Sequence, residues 1–71
     1  MEILVFKTNL RNKKNVKEVM PHLNSLNGIM QWNIDFHDKD KILRIVSRDL
    51  SPQLIEDTLQ RAGYVCKELQ D

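Results

Sequence analysis

The sequence predicts an α+β domain whose elements follow the order β-α-β-β-α-β. Two kinds of periodicity alternate along its 71 residues. Apolar side chains recur at every second position in some segments, which is typical of strands, and every three to four positions in two others, which is typical of helices. The predicted strands are residues 2–8, 29–36, 41–47 and 64–69, and the predicted helices lie between Asn15 and Gly28 and between Ser51 and Gly63.

The first helix has recognisable start and stop signals. Asn15 is a good N-cap, and Glu18 three residues later completes a variant of the capping box. Gly28 after Asn27 is a favourable helix stop. Pro21 removes one helical hydrogen bond, so we expect a kink or a slack turn there. The predicted buried stripe of this helix consists of Val16, Val19, Met20, Leu23 and Leu26.

The second half of the chain predicts a hairpin followed by the second helix. The alternation places Met30, Trp32, Ile34 and Phe36 on one face of the second strand, and Leu43 and Ile45 on the inner face of the third. The segment 37–40 is a hydrophilic turn. Ser51 is the expected N-cap of the second helix, with Pro52 at its first position and Leu50 packed onto Ile55. Its predicted buried stripe consists of Ile55, Leu59 and Ala62.

Two helices on one face of a four-stranded antiparallel sheet bury all of these stripes, which is the ferredoxin-like sandwich. We expect one domain over residues 1–71. Apolar residues make up 41% of the chain, and eleven Lys and Arg against ten Asp and Glu give a net charge of +1. This balance argues against a nucleic-acid-binding protein. The longest apolar run is too short for a membrane span and no signal peptide is recognisable, so we expect a cytoplasmic protein.

The ordered set of elements resembles the heavy-metal-associated (HMA) domain of copper chaperones and P-type ATPases. The resemblance covers nearly the whole chain. It is carried by the helix exit Leu23-x-x-Leu26-x-Gly28-Ile29, the strand Trp32-x-Ile34-x-Phe36, and Ala62-Gly63-Tyr64 before the last strand. Residues 6–10 and Pro21 also resemble one bacterial branch of that family.

In the HMA family the loop after the first strand carries Met-x-Cys-x-x-Cys, whose thiolates bind Cu(I) or a related soft ion. Counting back from Gly28 without gaps places Leu10 at the Met position and Asn12 and Asn15 at the two Cys positions. An amide oxygen is a poor ligand for Cu(I) and a modest one for zinc. Lys13 and Lys14 between them would repel a cation. We therefore expect no metal at this loop and no resident cofactor.

An alternative is a copper or zinc carrier that uses other ligands. His37 and Cys66 are the candidates, because in a ferredoxin-like fold both lie near the end that bears Asn12. The single cysteine excludes an internal disulfide and a four-thiolate site within one chain, although Cys66 thiolates could be shared across a dimer. An exposed turn histidine and a small, partly buried cysteine explain the same two residues more simply.

The leading hypothesis is a non-enzymatic domain with a degenerate metal motif that acts through protein contacts. Arg11, Lys13, Lys14 and Tyr64, with the turn 38–40, would form a docking surface for an acidic partner. We expect no nucleic-acid partner, since the aromatic and basic signature of RNA-binding sheets is missing, and a monomer or weak homodimer. An acylphosphatase-like enzyme is a third class, but only Arg11 and Asn12 hint at it.

Overall fold

The computed structural model describes residues 1–69 and has the predicted ferredoxin-like architecture. The elements are β1 (Glu2–Thr8), α1 (Lys13–Asn24), β2 (Ile29–Asp35), β3 (Ile42–Ser47), α2 (Pro52–Arg61) and β4 (Cys66–Glu68). All the strand pairs are antiparallel and the strand order is β2-β3-β1-β4. Both helices pack on one face of the sheet. The predicted fold class is therefore confirmed.

The core lies between the helices and that face of the sheet. Alternate residues of β1 and β3 point into it: Leu4 lies opposite Ile45, and Phe6 lies opposite Leu43. The helices cover these residues with side chains from their buried stripes. The fully buried apolar residues are Phe6, Leu10, Val19, Leu23, Leu43, Ile45, Ile55 and Leu59.

The N-cap of α1 is Asn12 and not Asn15, so that prediction is wrong by one helical turn. The Oδ1 atom of Asn12 accepts a hydrogen bond from the backbone N–H of Asn15 at 3.0 Å. Asn12, Asn15 and Glu18 are spaced at intervals of three, so two overlapping capping boxes fit the sequence. The earlier pair is the one used, with Asn12 as the cap, and the Asn15 side chain accepts from the N–H of Arg11, one residue before the cap. The helix also ends earlier than predicted, with Ser25 as its C-cap, and it runs through Pro21 without a break.

Two predicted core positions are exposed. Met20 on α1 is 39% exposed, because it lies at the edge of the helical stripe whose centre, Val19 and Leu23, is fully buried. Met30 is 54% exposed because a β-bulge lies between Ile29 and Gln31. The bulge shifts the alternation by one residue, so that Ile29 contacts the core in its place.

The entry to α2 is as predicted. The hydroxyl of Ser51 accepts a hydrogen bond from the N–H of Gln53 at 3.2 Å, and Pro52 opens the helix. Leu50 and Ile55 both belong to the core cluster. The last strand is shorter than predicted, since only Cys66–Glu68 pairs with β1.

Candidate functional site

Three connections meet at one end of the sandwich, as the fold predicts: the β1–α1 loop, the β2–β3 turn and the α2–β4 junction. Thr8 ties the first two together, since its N–H donates to the Asp40 carbonyl at 3.1 Å and its hydroxyl donates to the Lys41 carbonyl at 2.6 Å. Asn9 ties the first and third, because its Oδ1 accepts from the N–H of Val65 at 2.9 Å. We call the residues 9–18 and 64–65 at this end the loop end.

The two Asn residues at the counted Cys positions form one hydrogen-bond network within the loop end. Asn12 Oδ1 caps the helix as described. Asn15 Oδ1 accepts from the backbone N–H of Arg11 at 3.0 Å. Each amide oxygen therefore accepts a hydrogen bond from a backbone N–H of the loop or of the first helical turn. Without these side chains, those N–H groups would have no partner within the helix. The loop is closed by its own side chains.

Tyr64 connects the α2–β4 junction to α1. Its hydroxyl donates to Glu18 Oε2 at 2.6 Å and accepts from Asn15 Nδ2 at 3.2 Å. The hydrogen bond to Glu18 raises the pKa of the Tyr64 phenol above 10.0, and burial and the Glu18 charge raise it further. The side chain of Asn15 thus contacts the backbone on one side and a phenol on the other.

The predicted docking residues surround this network. The side chains of Arg11, Lys13 and Lys14 are exposed, and so is that of Lys17 one turn further along α1. The ion pairs within residues 1–69 join Lys7 to Asp40 and Arg44 to Asp35, so none of these four cations has a carboxylate partner there. The first turn of α1 contains no acidic residue. The loop end therefore carries a net positive charge: four exposed cations without an ion-pair partner among residues 1–69, against the one carboxylate of Glu18.

The candidate metal ligands have very different environments. His37 is exposed in the β2–β3 turn, where its backbone N–H donates to Asp35 Oδ1 at 2.9 Å. Cys66 is 2% exposed and lies opposite Thr8 in the sheet. Burial, with a smaller contribution from the charge of Glu56, raises the pKa of the Cys66 thiol to about 12. Over residues 1–69, no three His, Cys, Asp or Glu side chains are grouped so as to hold a metal ion.

Sequence reasoning missed how three residues hold this end of the sandwich together. Leu10, at the counted Met position, is fully buried, and its N–H donates to the Thr8 hydroxyl at 3.2 Å. Thr8 and Asn9 each join two connections, as described above. A polar pair where a strand ends is a signal for such bridging contacts, but the partners are backbone groups about 30 to 60 residues away in sequence.

The fold is shared with solved metal-binding domains. The chain is similar to the N-terminal domain of ZntA in the Zn(II) form, with a TM-score of 0.81, 20% identity, and coverage of 96% of this chain and 92% of that one. It matches a chain in the Atx1–Cu(I)–Ccc2a complex with a TM-score of 0.81, 12% identity, and 100% and 99% coverage. The HMA domain of the copper chaperone for superoxide dismutase matches with a TM-score of 0.76 and 16% identity, and the match covers 96% of this chain and 66% of that one.

These likenesses confirm that the chain has the HMA fold that the sequence motifs implied. No protein-family model matches the sequence. No curated protein matches it either. Among the described residues, no helix is long and apolar enough to cross a bilayer.

Proposed function

We propose that this protein is a non-enzymatic, cytoplasmic domain of HMA fold that acts through protein contacts and whose metal-binding positions have taken a structural role. One observation carries the proposal. Asn12 and Asn15 occupy the counted Cys positions, and the oxygens of both side chains are engaged in holding the loop and the start of α1. The spacing of the metal motif remains while its chemistry is replaced.

The donor chemistry at these positions argues against a soft metal ion. Cu(I) prefers thiolate and thioether ligands, and a neutral amide oxygen supplies neither charge nor softness. A cation that bound Asn12 or Asn15 would also have to displace the backbone donors that these oxygens accept from. The adjacent ammonium groups of Lys13 and Lys14 would oppose it further.

The same end is suited to an acidic protein partner. Arg11, Lys13 and Lys14 are exposed without carboxylate partners in the described chain, and Tyr64 adds an aromatic ring beside them. Such a cluster attracts an acidic surface at long range and gives specificity at contact. The solved complex of Atx1 with Ccc2a is an instance of this fold working through protein association.

The metal part of the proposal is tested by titrating the reduced protein with Cu(I) and with Zn(II) against a competing chelator, read by native mass spectrometry. We expect no stoichiometric binding by the natural sequence. The control is the double variant Asn12→Cys with Asn15→Cys, which should bind Cu(I) because the loop spacing of the motif is retained.

The same titration decides the alternative of a copper or zinc carrier with other ligands. Stoichiometric binding by the natural sequence that is abolished by Cys66→Ser or His37→Ala would replace the proposal with that alternative. The burial of Cys66 and the raised pKa of its thiol oppose this outcome, because the thiolate is the form that binds metal.

The contact part is tested with charge reversals at the loop end. Proteins retained by the immobilised domain are compared for the natural sequence, for Lys13→Glu with Lys14→Glu, and for Arg48→Glu as a control at the opposite end of the sandwich. An acidic partner should be lost with the double reversal and kept with the control, and its binding should weaken with added salt. Equal retention by all three would remove the loop end as the docking surface.

A further inference from the structure

The face of the sheet that the helices leave uncovered has an apolar half. Leu4, Phe6 and Thr8 point toward the helices, so the intervening residues of β1 point the other way. Ile3 on this face is 68% exposed and lies opposite Val46 of β3, which is half-buried. Val5, also half-buried, is next along β1. We call this side of the sheet the open face; it carries Ile3, Val5, Lys7, Asp35, Ile42, Arg44, Val46 and Lys67.

The charges of the open face have an ordered arrangement. Asp35 lies on β2 opposite Ile42 of β3, and Lys67 lies on β4 opposite Lys7 of β1. The β1–β3 register pairs Phe6 with Leu43, so the next residues, Lys7 of β1 and Ile42 of β3, lie side by side. Asp35 and Lys67 are thus the two ends of one row that crosses the whole sheet. The row is acidic at one edge and basic at the other.

This arrangement is complementary to itself. A two-fold axis that runs parallel to the strands between β1 and β3 places β2 of one copy over β4 of a second copy. Asp35 then faces Lys67 of the second copy at both edges, and Ile3 faces Val46 at both sides of the axis. Arg44 is drawn away from the axis by Asp35, with 3.9 Å between Arg44 Nη1 and Asp35 Oδ2.

The edges of the sheet offer a poorer route to association. The edge strand β4 pairs over only three residues, and the bulge at Met30 interrupts the β2 edge. Short and bulged edges resist pairing with another strand. Face-to-face packing needs no edge, since two sheets stack about 10 Å apart through interdigitated apolar side chains.

We propose that the open face joins two copies of this chain into a dimer, as a β-sandwich with Ile3 and Val46 at its centre and Asp35–Lys67 pairs at its rims. The proposal is independent of the contacts proposed for the loop end. The helices lie on the outside of such a dimer, so the loop end of each copy stays accessible.

The first test is sedimentation equilibrium over a wide range of protein concentration. The natural sequence should dimerise reversibly, and Ile3→Glu should weaken the dimer by about tenfold or more because it buries a charge at the centre. Leu54→Glu is the matched control, since Leu54 is 42% exposed on α2 and outside the open face, and it should leave the dimer unchanged. A natural sequence that stays monomeric at about millimolar concentration overturns the proposal.

A charge exchange tests the two-fold arrangement itself. Asp35→Lys and Lys67→Asp each place like charges together at both rims, and each should weaken its own dimer about threefold to tenfold. When the two single variants are mixed, both rim pairs of the heterodimer are again opposite in sign. The mixture should therefore associate about as tightly as the natural sequence. A mixture no tighter than its components overturns the arrangement, and far-ultraviolet circular dichroism of each variant checks that the fold is intact.

Discussion

The two ends of the sandwich are held by different kinds of interaction. At the loop end, Asn12, Asn15 and Tyr64 hold the backbone and each other through side-chain hydrogen bonds. At the opposite end, α1 returns to the sheet through Gly28, whose carbonyl accepts from the N–H of Arg48 at 2.8 Å. A β-carbon on Gly28 would lie 2.9 Å from the Arg48 carbonyl oxygen and 3.0 Å from Leu50 Cγ.

This difference determines which end tolerates substitution better. A side-chain hydrogen bond contributes only about 1 kcal/mol net, and other polar residues can supply it. A close backbone approach admits a single residue type, because any side chain overlaps its neighbours. The loop end should therefore tolerate other polar residues at positions 12 and 15 without loss of the fold, while position 28 admits only glycine.

The largest effect should come from Gly28→Ala. Its φ of +102° is strained for a residue with a side chain, and the added methyl group would meet Arg48 and Leu50. We expect a loss of about 3 kcal/mol in the free energy of unfolding from strain and overpacking together. Gly63→Ala is the control, at the α2–β4 junction beside the loop end, where φ is +95° but nothing lies within 4 Å of the added carbon.

Gly63→Ala should therefore cost only the backbone strain, about 1 kcal/mol. Urea denaturation of both variants measures the contrast. Equal losses in the two variants would show that backbone strain accounts for both, and that close packing at Gly28 contributes nothing further.

The next effect separates the two Asn residues. Asn12→Ala removes the N-cap and should lower the free energy of unfolding by about 1 kcal/mol. Asn15→Ala removes the bond to the Arg11 N–H and the contact with Tyr64, but it leaves the cap in place. We expect Asn15→Ala to lower the free energy of unfolding by about 0.5 kcal/mol, because both lost hydrogen bonds are partly exposed. Thermal or urea unfolding measures both, and a larger loss for Asn15→Ala would contradict the assignment of Asn12 as the cap.

The smallest effect concerns the ionisation of Tyr64. The hydrogen bond to Glu18 is the largest cause of its raised pKa, so Glu18→Gln should shift the phenol pKa back toward 10.0. Tyr64 is the one tyrosine of the chain, so near-ultraviolet absorbance reports its titration directly. An unchanged titration in Glu18→Gln would show that this hydrogen bond does not form in solution.

The raised pKa also sets the direction of the pH dependence. The folded protein holds the phenolic proton more tightly than the unfolded chain, in which the usual value applies. Stability from this interaction is therefore complete below pH 10.0 and is lost as the pH rises above it. Tyr64→Phe has no phenol to ionise, so its stability should fall less over the same alkaline range.

Much of the fold could be predicted because its signals are local. The alternation of β1 and β3, the Ser51-Pro52 start of α2 and the turn before β3 depend on neighbouring residues alone. The errors arise where local signals are ambiguous. Asn12 and Asn15 both fit a capping box, and the alternation of β2 cannot reveal a bulge whose position depends on pairing with β3.

The sequence could predict which residues meet at the candidate site, but not which of their side chains form hydrogen bonds with each other. The sequence indicated that Asn12, Asn15 and Tyr64 lie at one end of the sandwich, since the order of elements determines which connections meet. It could not indicate that Asn15 contacts Tyr64, 49 residues away, because side-chain partners at that distance depend on how the helices pack.

The sequence by itself determined the order of elements, the four-stranded antiparallel sheet with two helices on one face, the main core residues and the absence of sulfur at the counted Cys positions. These follow from periodicity and residue chemistry, which need no coordinates. Only the tertiary structure decided that Asn12 caps α1, that Cys66 is buried and that Ile3 remains exposed. The cap of α1 needed the structure because Asn12 and Asn15 are equally good local candidates. The burial of Cys66 and the exposure of Ile3 are set by the pairing of distant strands and the packing of the helices upon them, which no local pattern encodes.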